Sequence, residues 1–154
     1  MKHVLALSLA VAFMFATAMT ASADPDWHDE LAQVRRATAQ YHDIANALAD
    51  GYVQASGCVP GMGYHYVNFA LDGTTALAPN VLLYAPTGEG KLTFVAVEYV
   101  VFSETLTVAP TIFGQTYFGP MTHGIPRHFE RHVWLWLGNP DGVFSQTNDR
   151  VTCP

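Results

Sequence analysis

The sequence predicts an α+β domain, one long N-terminal helix packed on an antiparallel β-sheet that is free to curl into an open barrel. Three observations carry this expectation. Apolar and small residues recur at helical spacing from Trp27 to Tyr52, and beyond Pro60 the chain turns to β-branched and aromatic runs broken by Gly, Pro and Asn. No helical stretch separates those runs, so the crossovers that a parallel sheet needs are missing.

The chain opens on Met1-Lys2-His3, an apolar run from Val4 to Ala21, and the small-residue end Ala21-Ser22-Ala23 before Asp24-Pro25-Asp26. A charged start, an apolar middle and an Ala-x-Ala-like end form a secretory signal peptide over residues 1–23, leaving a single globular domain over 24–154. A membrane anchor is the competing reading, since about 18 apolar residues begin to suffice for a span. The cleavage-site residues favour removal and a secreted or periplasmic product with no membrane attachment. Losing Lys2 and no acid moves the net charge from −6 to −7. An acidic surface repels phosphate backbones and anionic lipid, which excludes nucleic acid as the main partner.

In the helix, Trp27, Leu31, Val34, Thr38, Tyr41, Ala45, Leu48 and Tyr52 fall at alternating steps of four and three on one stripe. Asp24, Asp26, Asp29 and Glu30 suit its positive N-terminal end. Gly51 or Gly57 ends it. Strands are expected at 64–69, 81–85, 92–102 and 131–137, with weaker ones at 106–108 and 115–118. Pro86-Thr87-Gly88-Glu89-Gly90 joins the second and third as an antiparallel hairpin, and Asn139-Pro140-Asp141-Gly142 reads as a tight turn. Cys58 and Cys153, with no CxxC spacing and in an exported chain, are expected to form a disulfide.

The chemistry rests on three segments. Strand parity places Leu92, Phe94, Ala96, Glu98, Val100 and Phe102 on one face, which makes Glu98 a carboxylate in an apolar row that needs a cation, a metal or a donor. The bland partner would be Arg127 or Arg131. Along 128–136, His128, Glu130, His132, Trp134 and Trp136 share a face in a strand, so imidazole and carboxylate groups lead into an aromatic floor. His128 and His132 then stand about 13 Å apart, too far to share an ion, and His132 is the one expected to combine with other segments. The third segment, Gly61-Met62-Gly63-Tyr64-His65-Tyr66, turns tightly into a strand and sets His65 between two tyrosines.

Together, His65, Glu98, His123 and His132 make a metal-binding set of three imidazoles and a carboxylate, with Tyr64, Tyr66, His128, Glu130, Trp134 and Trp136 lining a ligand pocket. Such donors suit zinc or copper, and Met62 and Met121, close in sequence to His65 and His123, tilt the choice towards copper. The partner would be a metal ion or a small molecule. Two other readings stand beside this one: a metal-free hydrolase- or isomerase-like enzyme using Glu98 and a histidine as acid and base, and an interaction module presenting Trp134 and Trp136. No nucleophile elbow, Walker loop or dinucleotide fingerprint is present.

The motifs Gly61-Met-Gly-Tyr-His-Tyr-Val-Asn68, Val97-Glu-Tyr99, His123-Gly-Ile-Pro126 and His132-Val-Trp-Leu-Trp136, followed by Asn139-Pro140 and Cys153, are similar to those of a group of small secreted bacterial proteins of no established activity. The likeness spans most of the chain after the leader and implies no catalytic role for any residue. The imidazole-rich strand also resembles that of the cupins, whose metal motif has His-x-His and a following Glu. The spacing here is His-x-Glu-x-His, a departure from that motif.

Overall fold

In the computed structural model, residues 26–122 and 126–154 are described, so the expected leader and His123 lie outside the described residues. The helical segment begins as the sequence dictates. Asp26 caps α1 (Trp27–Thr38) by accepting from the His28 N–H at 3.0 Å, and Asp29 and Glu30 occupy its first turn.

The single long helix does not form. After Thr38 the chain tightens into a 3₁₀ turn at Ala39–His42, and Asp43 caps a second short helix, α2 (Ile44–Ala49), by accepting from the Ala45 N–H. The cause lies in the sheet: the Tyr84 hydroxyl donates to the Tyr41 carbonyl at 2.7 Å, taking that acceptor out of the helical ladder. The stripe therefore holds through Leu31, Val34, Thr38 and Tyr41 and then resets, burying Ala47 and leaving Ala45 and Leu48 exposed.

Six strands form one antiparallel sheet in the order β1 (Val53–Gln54), β2 (Tyr64–Val67), β3 (Val81–Pro86), β4 (Leu92–Phe102), β8 (His128–Val133) and β7 (Phe118–Met121). β5 (Thr111–Ile112) and β6 (Gln115–Thr116) make a separate hairpin around Phe113-Gly114. The sheet is open: β1 and β7 are its edges and do not pair with each other. The expected hairpin joins β3 and β4, closed by Thr87 N–H to Lys91 O. No strand forms at 106–108, where the Leu106 N–H goes to Ser103 Oγ and its carbonyl to Arg127.

Val95 is an extra residue in β4: Leu83 pairs with Ala96 and Tyr84 with Phe94. The bulge splits the row read from strand parity. Leu92 and Phe94 turn to the helix side, while Ala96 and Val100 keep the face of Glu98. It also shortens β8, because the Trp136 and Leu137 N–H groups both bend to the Val95 carbonyl instead of continuing a ladder.

The helices cover one sheet face over a core containing Leu82, Tyr84, Phe94, Tyr99 and Phe129, where each fully buried apolar side chain contributes about 2 kcal/mol. The hydroxyls of buried Tyr52, Tyr99 and Tyr117 donate to the carbonyls of Pro79, Ala76 and Gly73, which fastens the 70–80 loop to that core. The opposite face carries a smaller cluster, with Val81, Leu83, Val95 and Trp134. It is covered by the loop after β1 and by the C-terminal tail. Cys58 and Cys153 are joined, with Cα atoms 5.7 Å apart, and Gly61 and Val151 exchange a backbone hydrogen bond beside them. Among the described residues no helix is long and apolar enough to cross a membrane.

Candidate metal centre

On this second face, β2, β4 and β8 deliver His65, Glu98 and His132 to one point. Glu98 and His132 are direct cross-strand partners, and His65 reaches across β3 from the far side. His65 Nε2 lies 3.6 Å from Glu98 Oε2, and His132 Nε2 lies 3.6 Å from Glu98 Oε1. One ligand atom from each of the three residues can be chosen so that all lie within 4.8 Å of one another. Tetrahedral zinc, with bonds of about 2.0–2.1 Å, sets its ligand atoms about 3.4 Å apart, so an ion would draw the group in by about an ångström.

The side chains are held for this. Gly63 starts β2 at φ +93°, where an added Cβ would stand 2.4 Å from the Tyr84 carbonyl oxygen. Only glycine lets the backbone pass that close, and it fixes where His65 emerges two residues later. Ser56 Oγ gives its proton to the Gly57 carbonyl and accepts from the His65 backbone N–H, so it can only accept from the ring Nδ1, 3.0 Å away. The ring proton is therefore on Nδ1. The Nε2 lone pair faces Glu98.

Glu98 is 2% exposed and His132 fully buried. Burial first, then the charge and hydrogen bond of Glu130, push the Glu98 carboxyl well above its ordinary 4.5. Burial lowers His65 to about 4, and lowers His132 to about 3 with the charges of His65 and Arg131 assisting. At neutral pH both imidazoles of the bare group are thus neutral, and burial favours the protonated form of Glu98 between them. Both ring nitrogens of His132 and Oε2 of Glu98 are buried without a hydrogen-bond partner among the described residues. Buried polar atoms in that condition cost on the order of 1–3 kcal/mol each.

The remaining residues read as site candidates divide. His128 and Glu130 join the neighbourhood as a pair: Nε2 to Oε2 is 3.3 Å, Gln146 donates to Glu130 Oε1, and that oxygen lies 4.0 Å from His132 Nδ1. His128 Nδ1 donates to the Pro126 carbonyl. Tyr64 and Tyr66 do not line the site; strand alternation turns them to the helix side, where the Tyr66 hydroxyl meets Gln54. The two tryptophans do not share a face, because β8 ends at Val133. Trp134 stays behind His132 with parallel rings 6.2 Å apart, and Trp136 crosses to the helix side against His42 and Arg35. Neither Arg127 nor Arg131 meets Glu98; both bind backbone carbonyls elsewhere.

Ser56 and Gln146 escaped the sequence reading. A lone serine in a short loop and a glutamine near the C-terminus carry no periodic or motif signal. A cavity of about 280 Å³ opens beside the group, with Met62, His65, Glu98, His128 and Glu130 in its lining. No family model matches the chain, and no similar protein is found among curated proteins or solved structures.

Proposed function

We propose that the protein is an exported metal-binding domain that holds one zinc or copper ion through His65, Glu98 and His132 and leaves a coordination position open to the cavity. The observation that carries this is a convergence of buried ligand atoms: His65 Nε2 and His132 Nε2 each stand 3.6 Å from one oxygen of Glu98, and Glu98 Oε2 and His132 Nε2 have no hydrogen-bond partner among the described residues. A dication would take the place of the Glu98 proton and accept both imidazole lone pairs. Two histidines and a glutamate are also the ligand complement of many catalytic zinc sites, which keep a fourth position for water or substrate. Met62, beside His65 on the cavity wall, is a soft neighbour that favours copper as the occupant to test alongside zinc.

The test is elemental analysis of protein purified without an affinity tag, then calorimetric titration of the metal-free protein with zinc and with copper. About one equivalent of either ion should bind, and binding at a hundred times Kd should stabilise the fold by about 2.7 kcal/mol. His132→Ala and Glu98→Gln should each remove that gain. Failure of both ions to bind the metal-free protein overturns the reading.

A second reading is supported by the same perturbed groups: a protonated Glu98 beside a neutral His65 can act as general acid and base without metal. An activity untouched by chelators would favour it. The interaction-module alternative has less behind it, because Trp134 is buried and Trp136 is half-buried under His42 and Arg35.

A further inference from the structure

We propose that the cavity beside the metal group binds a small monocarboxylate with an apolar body, whose carboxylate oxygen fills the metal's open position; the inference rests on the metal reading above.

The cavity's shape and lining point to such a ligand. Its volume of about 280 Å³ gives room for about nine water-sized groups at roughly 30 Å³ each, a molecule of seven or eight carbons with a small head. Its walls are Val59, Val67, Val81 and Val100, which offer nothing to a polar body but bury hydrocarbon well. Its polar lining comes from Ser56, His65, Glu98, His128 and Glu130. At the mouth, Phe69 is 69% exposed and Phe102 42%, two large apolar side chains left in water beside an apolar hole. A bound hydrocarbon would cover both.

Charge selects the head group. A divalent ion held by one carboxylate and two neutral imidazoles keeps one unit of positive charge in a site walled by valines. An anionic oxygen neutralises it, whereas a neutral or cationic head leaves it buried and uncompensated. Glu130 is a second carboxylate nearby, held by Gln146 and His128, so the preference for an anion concerns the ion's own shell of His65, Glu98 and His132.

The experiment uses the exported chain loaded with cobalt(II), whose visible absorption reports ligands entering the metal's coordination. Straight-chain carboxylates from acetate to decanoate are titrated, with octylammonium and 1-octanol as cationic and neutral comparisons. Affinity should rise about fourfold per added methylene and level off near seven or eight carbons, each carboxylate shifting the cobalt bands. Phe69→Ala, at an exposed position, should weaken octanoate about fivefold and leave acetate binding and cobalt content unchanged. Val100→Phe should block octanoate while still admitting acetate.

A flat chain-length dependence, or octylammonium binding as tightly as octanoate, overturns the proposal. Octanoate binding without a spectral shift also overturns it. The cobalt spectrum before any carboxylate is added reports on the metal reading separately. If cobalt, zinc and copper all fail to enter, both readings fall; if cobalt enters and carboxylates fail, only this one does.

Discussion

Replacing Glu98 by glutamine should change how stability depends on pH in the metal-free protein, and the size of the change follows from three buried groups. His65 and His132 stay neutral in the fold down to about 4 and about 3, while in the unfolded chain they take up protons near 6.5. Each therefore contributes stability that is present above 6.5 and lost on acidification, at about 1.4 kcal/mol per pH unit. Glu98 works in the opposite direction. Its folded pKa lies well above the ordinary 4.5, so its contribution is present below 4.5 and is lost as pH rises from there towards the raised value.

Between 4.5 and 6.5 Glu98 opposes the two histidines, so stability should climb by less than the ~2.8 kcal/mol per pH unit that the histidines supply together. Above 6.5 the histidines contribute no slope, and Glu98 draws stability down until its raised value is passed. Glu98→Gln keeps the shape and removes the titration. The descending limb should disappear and the acid limb should steepen to about 2.8 kcal/mol per unit. Urea denaturation from pH 5 to 8.5 in the presence of a chelator reads both limbs, and the difference between variant and wild type reports Glu98 together with Glu130, whose charge acts on it. A difference that does not change with pH would refute the assignment of a neutral, buried Glu98.

Zinc should also abolish the descending limb in the wild type, because the bound ion holds Glu98 as a carboxylate; calorimetry in buffers of different ionisation enthalpy should then record proton release on binding. Glu130→Ala should weaken metal binding by about 10- to 100-fold in competition with a chelating dye, since Glu130 Oε1 is the carboxylate placed to orient His132 through Nδ1. An unchanged affinity would show that Glu130 does not serve the metal. Gly63→Ala should cost about 2–3 kcal/mol in urea denaturation and weaken metal binding as well, because the displaced backbone carries His65. Serine at both Cys58 and Cys153 opens a 95-residue separation and should cost about 4–5 kcal/mol by the same measurement.

The fold was legible in the sequence wherever one local rule acted alone. Period-two runs bounded by turn formers located β2, β3 and β4, and Pro86 to Gly90 marked the hairpin between two of them. Where a distant group competed, the local rule lost. Tyr41 sits at the right spacing to continue a helix, but the Tyr84 hydroxyl, 43 residues away in sequence, takes its carbonyl. The Val95 bulge is likewise silent in the sequence, because Phe94-Val95-Ala96-Val97 is apolar throughout and no polar residue marks which position is surplus. One unseen residue was enough to turn Leu92 and Phe94 away from the face of Glu98.

The candidate site was legible through its anomalies. Glu98 stands out because a carboxylate in an apolar row has no bland explanation once Arg127 and Arg131 are engaged elsewhere. His65 and His132 follow from parity on their own strands, and the structure groups His132 with His65 and Glu98 while His128 pairs with Glu130. What the local pattern does not carry is the register across β3. His65 stands opposite Leu83 and Glu98 opposite Val81, so the two meet diagonally across that strand at 3.6 Å. A slip of one residue in either pairing would preserve every motif while turning one of the two to the other face, so the site depends on this register as much as on its ligands.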